Sequence, residues 1–189
     1  MKQAKVLSDK QLKAVLVICE SMQNGPRNRL AVLLSHYAGL RVGEIATLNW
    51  GDVLDQNCVQ KEMFYLQAAN TKSKEARQVH LNVLLRKELG LYWQGMDDRK
   101  SPDWPIIESQ RGGFFTANTL CQLFGTIYKT AGIDDATSHS GRRWFITQLA
   151  HKGVSPKVIM ELAGHQHLGT TQRYIDVNDE MKSAAVSLL

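Results

Sequence analysis

The chain has 189 residues, with 23 Lys and Arg against 18 Asp and Glu and a formal net charge of +5, long enough to bury a core without disulfide staples. At 43% apolar and 22% charged it falls outside the disordered and collagen-like classes, and no apolar run nears the roughly 20 residues that span a bilayer. Cys19, Cys58 and Cys121 are far apart and form no CxxC pair, which points away from a disulfide framework or a zinc site. The basic balance favours a polyanionic partner such as nucleic acid, and MKQAKVLSDKQLK lacks the apolar core of a signal peptide, so a cytoplasmic protein is expected.

Ser8 and Gln11 form an S-x-x-Q capping box, and Leu12, Val15, Leu16 and Cys19 recur behind it at helical spacing. Asn24-Gly25-Pro26 should end this helix, and a second one should run through Leu30, Leu33, Leu34 and Tyr37 to a left-handed cap at Gly39. Arg41 follows that turn, and Val42 to Leu48 reads as a short helix. Met63-Phe64-Tyr65-Leu66 and Arg77-Gln78-Val79-His80-Leu81 are strand-like and enclose a polar, basic tip, the pattern of a β-hairpin. A helix is expected over Val83 to Trp93, then a polar loop from Gly95 to Pro105 and a short strand at Ile106 and Ile107. Thr116 should cap a helix to Ala131, His139 to His151 is again apolar-periodic, and Ser155-Pro156 supplies a cap and a first-turn proline. The fold class expected is mainly α (α+β): one helical domain over 1–189 with a small antiparallel sheet, without a separate N-terminal DNA-clamping domain.

Groups suited to phosphate chemistry collect in the C-terminal block. His139 and Arg142 are three positions apart and share a helix face, at a helix start whose free amides favour an anion. Gly164-His165 and Tyr174 follow. HSGR resembles the HxxR motif of the tyrosine recombinases, also called phage integrases; GHQHLGTTQRY resembles their GHxxxxxTxxY segment, and AGLRVGEIATLNW their first arginine motif. TKSKEARQVHL resembles their hairpin lysine motif. These four motifs stand in family order from Gly39 to Tyr174, and the likeness is to the compact, single-domain members or to a fragment of a longer one.

The resemblance implies a site-specific recombinase that cuts and rejoins double-stranded DNA through a 3′-phosphotyrosine at Tyr174. Arg41 and Arg142 would hold the charge of the phosphorane, since a guanidinium donates two parallel hydrogen bonds and stays charged. His139 would take the phenol proton, Lys72 would protonate the leaving oxygen, His165 would donate to the phosphate, and Glu44 would orient its neighbours. Neither metal nor another cofactor is called for. Self-association into a tetramer on DNA is implied, with accessory DNA-bending proteins as further partners and nucleoid association when DNA is bound. The family usually has Leu where this chain has Gly141 before the motif arginine, and glycine weakens a helix interior by ~1 kcal/mol, so a less firmly seated Arg142 is expected.

Each residue also has a plainer reading. Arg41 alone would be a helix cap paired with Glu44, Tyr174 a packing tyrosine, and Lys72, Lys74 and Arg77 solvated charges on a hairpin. Lys74, Arg77, Arg143, Lys157 and Arg173 are candidates for DNA-backbone contact. His151 and His167 read as surface residues, and Phe145, Leu149, Val158, Ile159 and Leu162 as core. After the tyrosine, Asn178 can cap a helix whose Met181, Ala184, Ala185 and Leu188 form an apolar stripe, which the resemblance would pass to an adjacent protomer. A type IB topoisomerase and a non-catalytic DNA-binding regulator are the alternatives.

Overall fold

The computed structural model describes residues 4–68, 76–96, 101–175 and 179–187. Helices α1 (Asp9–Ser21) and α2 (Gly25–Tyr37) are followed by the short α3 (Val42–Thr47) and α4 (Trp50–Val53). Strands β1 (Met63–Leu66) and β2 (Arg77–His80) pair antiparallel, Met63 opposite His80 and Leu66 opposite Arg77. Then come α5 (Val83–Gln94), α6 (Ala117–Thr130), α7 (Ser140–His151), α8 (Pro156–Ala163), α9 (Leu168–Gln172) and α10 (Asp179–Val186). No helix among the described residues is long and apolar enough to cross a membrane.

Local chemistry sets most of these boundaries. Ser8 accepts from the Gln11 amide and Gln11 returns the bond, closing the expected capping box. Thr116 caps α6 and Ser155 caps α8, where Pro156 takes the first turn. Pro26 does the same for α2, so Asn24-Gly25-Pro26 opens the second helix, while α1 ends at Ser21. Ile106 and Ile107 are buried but form no strand. The Ile106 amide donates to the Leu48 carbonyl at 3.0 Å, and isolated bridges flank the pair at Asn49–Pro105 and Glu108–Phe114. Apolar side chains were the only signal there, and buried irregular chain carries the same signal as a strand.

Helix α2 is the centre of the molecule. From Leu30 to His36 every residue is buried, which requires neighbours on all sides, and α1, α5 and α7 supply them. The main core gathers on this helix. A second, smaller core of Ile146, Ala150, Ile159 and Ala163 joins α7 to α8, with Phe145, Leu149, Tyr174 and Ile175 packed on it. Val158, expected in a core, is 46% exposed. In the tail α10 forms as expected, with Ala185 exposed. Asn178 and Leu188 lie outside the described residues, as do the side chains of Met181 and Ala184.

Gly141 is explained by the α2–α7 contact. A Cβ on it would stand 2.4 Å from Ser35 Oγ, 2.7 Å from His36 Nδ1 and 2.8 Å from Ser35 Cβ. Both neighbours are fully buried, and His36 Nδ1 is tied to the Val32 carbonyl at 2.9 Å. The glycine therefore brings α7 close to α2 and seats the next residue, Arg142, more firmly, which reverses the expectation from helix propensity. Alanine normally gains ~1 kcal/mol over glycine inside a helix. Here Gly141→Ala should instead destabilise the chain by about 1–3 kcal/mol through overpacking, read from urea unfolding; a stabilised variant would show that the contact is loose.

Candidate active site

Arg41, Arg77 and Arg142 come from three distant parts of the chain and converge on the last turn of α8. A helix end leaves carbonyls without intrahelical donors, and here each finds one. Gly164, in the left-handed conformation at φ 62°, closes the turn, and the His165 amide donates back to the Met160 carbonyl at 3.0 Å. The Gly164 amide serves Glu161. The next three carbonyls go to arginines: Arg77 Nη1 donates to Leu162 at 2.9 Å, Arg142 Nη2 to Ala163, and Arg41 Nη2 to Gly164 at 3.2 Å. The partial negative charge of the helix C-terminus favours cations at this place.

Glu44 binds two of the three together. Its carboxylate is fully buried; Oε1 accepts from Arg41 Nη1 at 2.8 Å, and Oε2 accepts from the Arg41 amide at 2.8 Å and from Arg77 Nη2 at 2.7 Å. Burial alone would raise this carboxyl, but the charge and hydrogen bond of Arg77, followed by Arg41, hold it below its usual range. Arg142 is anchored on its other side by the Gly39 carbonyl at 2.7 Å. Gly39 has φ +62°, and a Cβ there would fall 2.5 Å from the Phe145 ring, so the turn before Arg41 is both shaped and packed by glycine. Burial first, and the neighbouring Arg41 next, bring the Arg142 guanidinium down to about 9. It still carries its charge at neutral pH.

His165 leaves the α8 turn directly into this cluster. Its Nδ1 lies 2.9 Å from the hydroxyl of the buried Thr171, and its ring stacks on that of Tyr174 at 5.9 Å between centroids, with 22° between planes. Burial, then the charges of Arg142, Arg41 and Arg77, lower the imidazole to about 4, so it is neutral at neutral pH. The Arg143 guanidinium covers the Tyr174 ring at 5.6 Å and donates to the Ala4 carbonyl.

The structure thus joins Arg41, Glu44, Arg142, His165 and Tyr174 in one place. His139 stands exposed as the N-cap residue of α7, three positions before Arg142. Lys72 and Lys74 lie outside the described residues. Of the expected DNA-backbone contacts, Arg173 and Lys157 are exposed, the latter paired with Glu161 at 3.3 Å. Arg143 packs beside the tyrosine, and Arg77 is turned inward, with its side chain 8% exposed. Sequence reasoning missed this inward role for Arg77. It also gave none to Thr171, although the threonine stands in the GHxxxxxTxxY spacing. Among the described residues no group of three or more His, Cys, Asp or Glu could hold a metal ion.

Known proteins resemble this chain in sequence and in fold. Tyrosine recombinase XerA of Thermococcus kodakarensis is 30% identical over 93% of this chain and 59% of its own length; the chain spans less than two thirds of the curated relatives it matches. A crystal structure of XerA recombinase superposes on all of this chain and 66% of its own, with a TM-score of 0.77 at 25% identity. The Tn1549 transposon integrase in complex with a circular intermediate DNA has the same fold, with a TM-score of 0.80 at 19% identity over all of this chain and 67% of its own. The family model described as the phage integrase family matches residues 5–181, nearly the whole chain and every residue gathered around the α8 turn, and the chain belongs to that family.

Proposed function

We propose that this chain is the catalytic part of a site-specific recombinase that cleaves and rejoins double-stranded DNA through Tyr174. The observation that supports this best is the convergence of three guanidiniums on the one helix end that also carries His165, beside the ring of Tyr174. Attack by a phenol on a phosphodiester places additional negative charge on the non-bridging oxygens, and preorganised cations stabilise it without having to move. Three guanidiniums against one carboxylate leave an excess of two positive charges, which suits a phosphorane better than a singly charged phosphodiester.

In this reading Tyr174 Oη bonds to phosphorus as the bond to the 5′ oxygen breaks, leaving a 3′-phosphotyrosine and a free 5′ hydroxyl. The phenol proton passes to His139 and the 5′ oxygen takes one from Lys72. Arg41 and Arg142 grip the phosphate, and Thr171 donates to His165 Nδ1 so that Nε2–H faces it. Rejoining runs the same steps backwards. The scheme calls for neither metal nor ATP, because arginines hold the charge and the phosphotyrosine keeps the energy of the broken bond. Lys74, Arg143, Lys157 and Arg173 are proposed to contact the DNA backbone. Assembly on DNA as a tetramer through the tail, with accessory DNA-bending proteins where the site needs them, is part of the same proposal and is supported by the exposed Ala185 and Val186 of α10.

A nicked duplex that loses its short 5′ strand on cleavage should trap the chain covalently on a 3′ phosphate, and Tyr174→Phe should bind the duplex without attaching. Adduct formation by the phenylalanine variant would remove Tyr174 from the role. For Lys72→Ala, cleavage should slow by about 10²–10⁴-fold, the usual share of general acid catalysis, and a 5′-thiolate leaving group, which needs no proton, should restore it. Failure of the sulfur substrate to rescue would place the acid elsewhere. The third expectation is a His165 imidazole that titrates near 4 in DNA-free protein when followed by NMR, far from the ~6.5 of free histidine. A midpoint near the ordinary value would mean that the arginine cluster is open to solvent.

A further inference from the structure

Arg77 opens β2 and follows Lys72 by five residues, a place where a basic side chain would ordinarily face the DNA backbone or solvent. Its guanidinium instead lies under the catalytic cluster, 8% exposed, with one arm on Glu44 Oε2 and the other on the Leu162 carbonyl. Those acceptors belong to the two segments whose alignment matters. Glu44 holds both the amide and the guanidinium of Arg41, and Leu162 lies three residues before His165 in the closing turn of α8. Gly164 makes the room, since a Cβ there would stand 2.4 Å from Arg77 Cδ and 2.8 Å from its Nε.

Loss of Arg77 has a definite consequence for Arg41. Glu44 Oε2 would keep only the Arg41 amide, leaving a buried carboxylate with one guanidinium to neutralise it. Arginine and carboxylate favour the two-pronged arrangement, so Arg41 Nη2, now on the Gly164 carbonyl at 3.2 Å, would be drawn across to Oε2. That swing takes Arg41 off the α8 turn and away from a phosphate held there. Lysine cannot replace the span, because its ammonium is a point charge without the fork that reaches two acceptors at once.

We propose that Arg77 is a positioning residue for strand cleavage, setting Arg41 and His165 in register through Glu44 and the Leu162 carbonyl; the inference rests on the cleavage reaction proposed above. Wild type, Arg77→Lys and Arg77→Met are compared in three measurements: affinity for the nicked duplex, single-turnover adduct formation at saturating duplex, and the His165 ring resonances without DNA. Affinity should stay within about two-fold, because a buried guanidinium displaces no counterion from DNA. Adduct formation should fall on the order of 10²-fold in both variants, the usual cost of ~1 Å misplacement, and the His165 resonances should shift in both. Equal loss with lysine, which keeps the charge, separates the two-armed bridge from simple electrostatics.

Two outcomes would overturn the proposal. Arg77→Lys could cleave at the wild-type rate, or Arg77→Met could bind more weakly, with the salt slope reduced by about one, yet cleave normally once saturated, which is the signature of a phosphate contact. Should wild type form no adduct, the cleavage reading itself falls. Arg77 is then judged by the His165 resonances alone, and resonances unmoved in Arg77→Lys would overturn it. Circular dichroism monitors folding, and if Arg77→Met does not fold, Arg77→Lys carries all three measurements.

Discussion

Three carbonyls that the closing turn of an eight-residue helix leaves without backbone donors organise the site. The closing turn of α8 uses the Met160 and Glu161 carbonyls for its own amides, and the three that remain each take a different arginine. Bringing three guanidiniums together in a partly buried place is unfavourable, because each repels the others and each loses water. The helix end offsets part of that cost with aligned carbonyl dipoles, and Glu44 offsets more with a full charge. The cluster is therefore held in place by the chain's own groups, and in the reaction proposed above such preorganisation is the condition under which electrostatic stabilisation contributes most.

Glycine sets the distances that make such a cluster fit. Gly39 turns the chain so that its carbonyl faces Arg142 and its missing side chain leaves room for Phe145. Gly141 brings α7 against Ser35 and His36 of the central helix, fixing the height at which Arg142 leaves α7, and Gly164 clears the path of the Arg77 side chain. Two of the three have positive φ and would be strained by any side chain. The third is ordinary helix and is glycine for space alone. Each stands within two residues of a group that faces the site.

Much of this architecture was legible in the sequence because it is local. Caps at Ser8, Thr116 and Ser155, the left-handed glycines and the paired strands depend on residues a few positions apart, and those spacings carry the physics directly. The convergence of Arg41, Arg142, His165 and Tyr174 was reached through motif resemblance, since no periodicity connects Arg142 to a carbonyl 103 residues earlier. Where neither guide applied, the sequence misled. Arg77 looked like a surface cation, because its partners Glu44 and Leu162 stand 33 and 85 residues away. Gly141 looked like a weakness because helix propensity knows nothing of the facing helix, and Ile106 and Ile107 looked like a strand because burial and extension leave the same apolar trace.

The placement of Tyr174 follows from a division between the two cores. The main core holds α2 and the elements on it, whereas Tyr174 packs with Ile175 on the small cluster of Ile146, Ala150, Ile159 and Ala163. That cluster also fixes the relation of α7, which carries Arg142, to α8, which ends in the arginine-bound carbonyls. One small apolar nucleus thus joins the tyrosine, the helix that carries Arg142 and the turn that binds Arg41 and Arg77. A shift of α8 on α7 would move the Ala163 carbonyl relative to Arg142 and the ring of His165 relative to Tyr174 together.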